Sequence, residues 1–76
     1  MNWKERIVID PNILVGKPTI KGTRISVDFV ISLMGQGWTV EQLLEEYEHL
    51  KREDIQACLS YAGEVLSSEK IYPIPA

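Results

Sequence analysis

The chain has one cysteine, Cys58, and one histidine, His49. A lone cysteine closes no internal disulfide. One thiol and one imidazole fall short of the four N or S ligands that a structural zinc site takes. No run approaches the ~20 apolar residues of a membrane span. Behind Met1–Arg6, the apolar run Ile7-Val8-Ile9 is too short for a signal peptide. The expected compartment is therefore the cytoplasm. Recognised catalytic constellations are missing as well. A hydrolytic triad needs a nucleophile, a base and an orienting acid, and His49 falls in an expected turn with no serine or cysteine paired to it by motif. Gly16 and Gly22 flank a proline-containing segment and do not open a helix, so no loop is built to cradle phosphate. Carboxylates are plentiful, but on helix faces that read as solvent-exposed, where burial cannot tune them. No enzyme, metal or cofactor is expected.

What is present fits one domain of 76 residues. A chain of this size buries only about 60% of the surface its unfolded form exposes. Small scaffolds need a staple, and with disulfide and metal set aside a second subunit is the one left. The net charge of −3 is unevenly placed. Residues 1–28 carry five basic and three acidic side chains, a balance of +2; residues 29–76 carry three basic and eight acidic, a balance of −5. Such asymmetry suggests two faces with different partners, against the plainer reading of a solvated acidic surface.

Ile7-Val8-Ile9 reads as a short strand, ended by Asp10-Pro11-Asn12. The most specified stretch runs from Gly16 to Ile25. Pro18-Thr19-Ile20 and Thr23-Arg24-Ile25 can pair as a hairpin across Lys21-Gly22, where glycine tolerates the positive φ of a tight turn. Ser26 is a good helix N-cap with Asp28 in the first turn. Val27, Val30, Ile31 and Met34 recur at helical spacing, and Phe29 and Leu33 add a second apolar stripe. A helix apolar on two sides is buried on both, so Phe29 and Leu33 are candidate dimer contacts, unless the β segments cover them. Gly37 stands where a left-handed C-cap is common.

Thr39 and Gln42 form a capping box for a second helix, and Trp38 can staple onto Leu43. Val40, Leu43, Leu44 and Tyr47 give its inner face; Glu41, Glu45 and Glu48 line the outer one. A short turn with Leu50 as core plug leads to a third helix from about Arg52 to Ser67, with Ile55, Leu59, Ala62 and Leu66 read as its inner face. Lys51 is a poor cap for it. Gly63 costs roughly 1 kcal/mol in a helix interior relative to alanine, a cost that a close contact would explain. The tail Ile71-Tyr72-Pro73-Ile74-Pro75 reads as extended. The expected layout is mainly α: an N-terminal β segment and hairpin over 1–26, a three-helix unit over 27–68 and an extended tail over 69–76.

Three helices with a short turn before the last read as a helix-turn-helix. The series Ile9, Asp10, Pro11, Gly16-Lys17-Pro18, Ile20, Gly22-Thr23-Arg24-Ile25 and Val27 carries a family resemblance. Gly37, Glu41, Leu44, Tyr47, Leu50, Glu53-Asp54-Ile55, Ala57, Leu59 and Tyr61-Ala62 continue it. Over about residues 7–63 the chain resembles the prokaryotic family catalogued as "domain of unknown function 433". That family resembles VapB-type antitoxins, viewed as homeodomain-like helix-turn-helix proteins and often encoded beside a PIN-like ribonuclease toxin. The resemblance implies an antitoxin of a type II toxin-antitoxin system that binds and neutralises the toxin, with operator DNA as a further partner. It supplies no catalytic residues. The family often has Thr or Ser where Lys51 stands.

A helix-turn-helix normally lays its last helix in the major groove. Here Glu41, Glu45, Glu46 and Glu48, then Glu53 and Asp54, would face phosphates, a repulsion on the order of several kcal/mol for one close charge pair. Any DNA contact therefore falls to Lys17, Lys21 and Arg24, with Lys51 and Arg52, unless Arg24 pairs with a carboxylate of its own domain. The acidic stripe Glu41, Glu45 and Glu48 suits a basic RNA-binding surface on a partner. Ile71, Tyr72 and Ile74 could add an apolar anchor. The alternatives are a dimeric DNA-binding repressor and a protein-binding scaffold, neither with a toxin partner.

Overall fold

A computed structural model describes residues 2–68 of the chain; Ile71, Tyr72 and Ile74 lie outside them. The β-branched pair Ile7–Val8 forms β1, antiparallel to β2 (Thr19–Ile20), with Ile7 opposite Ile20 and Val8 opposite Thr19. The strand stops one residue earlier than its apolar run suggests, and Ile9 is exposed. Asp10 turns the chain: its carboxylate accepts the Asn12 N–H and its carbonyl the Ile13 N–H, both at 2.9 Å. This local bonding is why Asp favours turns. Leu14, Val15 and Gly16 then take φ of 49°, 56° and 79°. Positive φ is an outlier for a β-branched residue such as Val15, whose side chain is 97% exposed.

The turn at Ile20-Lys21-Gly22-Thr23 closes as its sequence suggests, with Thr23 N–H donating to Ile20 C=O at 3.0 Å and Gly22 at φ 80°. The expected hairpin arms differ. Ile20 N–H reaches Ile25 C=O and Val27 N–H reaches Pro18 C=O, both at 2.9 Å, and Thr19 bridges Ser26, but Thr23–Ile25 forms no strand. The Thr23 hydroxyl donates to Ile20 C=O at 2.8 Å and accepts the Ile25 N–H at 3.0 Å. A side chain thus takes a donor that a ladder would use. The ladder partner of β2 is β1.

Three helices follow: α1 (Val27–Gly35), α2 (Val40–Glu46) and α3 (Arg52–Ser68). Ser26 caps α1 by accepting the Phe29 N–H at 3.2 Å. The helix closes with Gly37 N–H on Met34 C=O and Trp38 N–H on Leu33 C=O, each at 3.0 Å, and Gly37 at φ 102°. This is the paired C-terminal bonding that a left-handed glycine permits. The α2 capping box forms in both directions: Gln42 N–H to Thr39 Oγ1 at 3.1 Å, and Thr39 N–H to Gln42 Oε1 at 2.8 Å.

The core gathers Ile7 and Ile20 from the sheet, Val27 and Val30 from α1, and Leu43 from α2. Leu50 comes from the following turn, and Ile55, Ala57 and Cys58 from α3. One expectation is overturned. The inner face of α3 is Asp54, Ile55, Ala57 and Cys58, with Tyr61 half-buried; Leu59 and Leu66 are exposed. The cause lies in the N-terminal residues. Trp3 packs edge-on against Tyr61 with ring centroids 4.8 Å apart, and its indole N–H donates to the Glu64 carboxylate. Arg6 bonds Asp54 at 2.9 Å. These contacts hold the side of α3 that carries Asp54 and Tyr61 against the N-terminal segment. Burial pushes the Cys58 thiol up to about 12, with the nearby Asp54 charge adding to the effect.

Candidate recognition surface

The three ends that matter for recognition are the α2 outer face, the start of α3 and the Gly16–Ile25 segment. On α2, Glu41 is engaged by Arg52 at 3.0 Å. The Arg52 guanidinium holds the Glu41 carboxyl below its usual range. Glu45 and Glu46 are exposed and border a shallow hollow with Trp38 and Gln42. Glu48 is exposed just past the helix end. Among the described residues no ion pair joins Glu45, Glu46 or Glu48.

The five candidate DNA-contacting cations are not gathered into one patch. Lys17 is bonded to Asp28 at 3.2 Å. Asp28 is in turn held below the usual carboxylate range, first by the Ser26 hydroxyl and then by Lys17. Arg52 is turned to Glu41. Lys21 borders a hollow with Glu5, Arg6 and Asp54. Arg24 lines a different groove with Leu14, Val15, Lys17, Ile25 and Phe29. It is exposed, and no carboxylate among the described residues pairs with it; the internal ion pair weighed for it is not made there. Lys51 is exposed.

From sequence Asp54 reads, with Glu53, as an exposed carboxylate favouring the N-terminus of the third helix; its burial and its bonds are not legible there. It is only 7% exposed. One oxygen accepts the Lys51 N–H at 2.9 Å, the other Arg6 Nη1 at 2.9 Å. It supplies the N-terminal closure of α3 that Lys51 cannot. The signal available was its position three residues after the poor cap, where an acidic side chain reaches back. Of the two candidate dimer residues, Leu33 is half-buried against its own core. Phe29 is 41% exposed and stands edge-on to Tyr47 at 5.8 Å. Among the described residues there is no His/Cys/Asp/Glu group able to hold a metal ion, and no helix long and apolar enough to cross a membrane.

These features define a small, mainly helical protein, three helices on a two-stranded sheet. Residues 7–62 match the family described as "Protein of unknown function (DUF433)", and the chain belongs to that family. It is 36% identical over 59 residues to the uncharacterized protein y4eO of Sinorhizobium fredii, a match covering 78% of this chain and 27% of that protein. A 24-residue stretch is 67% identical to an uncharacterized protein of Archaeoglobus fulgidus, covering 32% of this chain and 67% of that one. The crystal structure of a DUF433 member from Anabaena variabilis superimposes with a TM-score of 0.77 at 31% identity, covering 82% of this chain and 61% of that chain. The chain thus spans about a quarter of y4eO and three-fifths of the Anabaena protein.

Proposed function

We propose that this chain is a non-catalytic recognition module of the cytoplasm, an antitoxin-like partner that docks on a basic, RNA-binding protein surface. In a type II toxin-antitoxin system that surface would belong to a PIN-like ribonuclease, and its occlusion would neutralise the toxin. The observation that carries this reading is the set Glu45, Glu46 and Glu48, exposed on and just after α2 and free of ion pairs among the described residues. Three carboxylates within four residues repel one another, and a cationic partner relieves that repulsion while steering encounter. Trp38 beside them offers the aromatic contact that interface centres favour. The order α2, turn 47–51, α3 is read as a homeodomain-like helix-turn-helix, and the working unit as a homodimer.

The test is a pull-down from the native host with the full chain and with the variant carrying Glu45→Lys and Glu48→Lys. The expected result is recovery of a PIN-like ribonuclease by the first and at least ~10-fold less by the second. Recovery of no ribonuclease, or equal recovery by both, sinks the reading. A second reading, operator binding, rests on Arg24 and Lys21, both exposed and without carboxylate ion pairs among the described residues. It requires a salt-sensitive gel shift on upstream DNA that Arg24→Glu removes.

A further inference from the structure

Leu14, Val15 and Gly16 hold three consecutive positive φ angles, and only the last residue is a glycine. For a β-branched side chain that backbone is strained. The fold does not use the Val15 side chain in return, since it is 97% exposed. Strain kept at a residue that packs on nothing points to a role outside the protomer. Val15 lines a groove of about 450 Å³, within the size range of ligand clefts. Leu14, Ile25 and Phe29 give the groove apolar walls, and Phe29 is 41% exposed. Two cations, Lys17 and Arg24, also line it. Lys17 is neutralised by Asp28 at 3.2 Å. Arg24 is exposed and makes no carboxylate ion pair among the described residues. The groove thus carries one uncompensated positive charge among apolar side chains.

We propose that this groove takes a segment of a partner polypeptide in which one Asp or Glu side chain is flanked by apolar ones. The carboxylate meets the Arg24 guanidinium, whose planar fork matches it. The flanking apolar side chains pack on Leu14, Val15 and Phe29. An arginine among aromatic and aliphatic side chains is the composition of interface centres. The same features disfavour a nucleic acid here. A duplex presents one negative charge per ~1.7 Å of axis and is held by several cations at once. In this groove a single cation is unpaired. The Asp28 carboxylate, bonded to Lys17 and Ser26 of the lining, would face the phosphates. None of Glu45, Glu46 and Glu48 lines the groove. The inference therefore goes beyond the antitoxin reading and does not rest on it.

The experiment is an NMR titration of the full chain with the blocked peptide acetyl-Leu-Phe-Glu-Leu-Ser-amide and with its counterpart carrying glutamine for glutamate. The glutamate peptide is expected to shift the Val15 methyls, the Phe29 ring and the Arg24 Nε–H saturably. The glutamine peptide should bind at least ~10-fold more weakly. Arg24→Gln should remove that preference. Val15→Asn puts a residue that tolerates positive φ in place of a strained one. It should raise the thermal midpoint while weakening the glutamate peptide at least ~3-fold. The variant carrying Glu45→Lys and Glu48→Lys should bind the peptide as the natural chain does, so this result and that of the pull-down are independent. Equal affinity for the two peptides, or no saturable shift at millimolar peptide, overturns the proposal. So does a short DNA duplex that moves the same signals at lower concentration than the peptide, which would give Arg24 to phosphate. Sedimentation equilibrium completes the set: a dimer that Arg24→Gln dissociates would put a second copy in the groove and overturn the proposal as well.

Discussion

At the start of α2, two residues three apart satisfy each other: Thr39 and Gln42 exchange hydrogen bonds, both exposed. At the start of α3 the equivalent closure comes from one buried carboxylate, Asp54, held in place by Arg6 from the other end of the chain. The two helix starts do the same work with different dependencies. The first is complete within four residues and stays complete if the rest of the molecule loosens. In the second the Asp54–Lys51 bond is equally local, but the Arg6 bond to the other oxygen is made only when the N-terminal segment is docked, so it ties that segment to α3.

The difference is largest under substitution. Asp54→Ala removes the Lys51 N–H acceptor and leaves half-buried Arg6 with only its 4.0 Å contact to Glu53, and is expected to cost about 2 kcal/mol in urea unfolding. Paired with Arg6→Ala in a double-mutant cycle it should show coupling above ~1 kcal/mol. Thr39→Ala, by contrast, should cost about 1 kcal/mol, with no coupling to Arg6. If Asp54→Ala costs no more than Thr39→Ala, the contrast between the two starts collapses. Its converse is Lys51→Ser, which gives α3 a local cap like that of α2 and should soften the Asp54→Ala loss.

The smallest effect is expected in acid. Asp28 and Glu41 titrate below their usual ranges because the folded chain bonds their charged forms. A carboxyl depressed on folding stabilises the native state above the unfolded value, near pH 4, and that contribution fades as pH falls through the folded value. Both groups are exposed, so solvent screens most of it. The thermal midpoint should drift down below about pH 4 by less than Thr39→Ala lowers it, and Glu41→Gln should flatten the drift. A steep acid transition instead would mean that a buried carboxylate governs.

The same contrast explains what could be read from residues alone. Ser26, Gly37 and the Thr39–Gln42 box act within four residues, so their partners stand beside them in the sequence, and α1 and α2 come out within a residue or two. The turn at Lys21-Gly22 is legible for the same reason. The face of α3 is not. Its sequence carries two apolar stripes, and periodicity cannot say which goes inside; Trp3 and Arg6, docking from more than forty-five positions away, decide it. The acidic stripe of α2 was visible as a pattern. That Arg52 would take Glu41 out of it, and that Asp28 would hold Lys17, depended on how elements approach in space.

The sulfur of Cys58 lies at 0% exposure and stays protonated at any physiological pH. A thiol in that state is deaf to alkylating and oxidising reagents, which act on an accessible thiolate. It reacts only in the moments when the surrounding helices part. The rate at which this one atom is labelled therefore counts openings of the molecule, a clock that needs no added dye and no change to the chain.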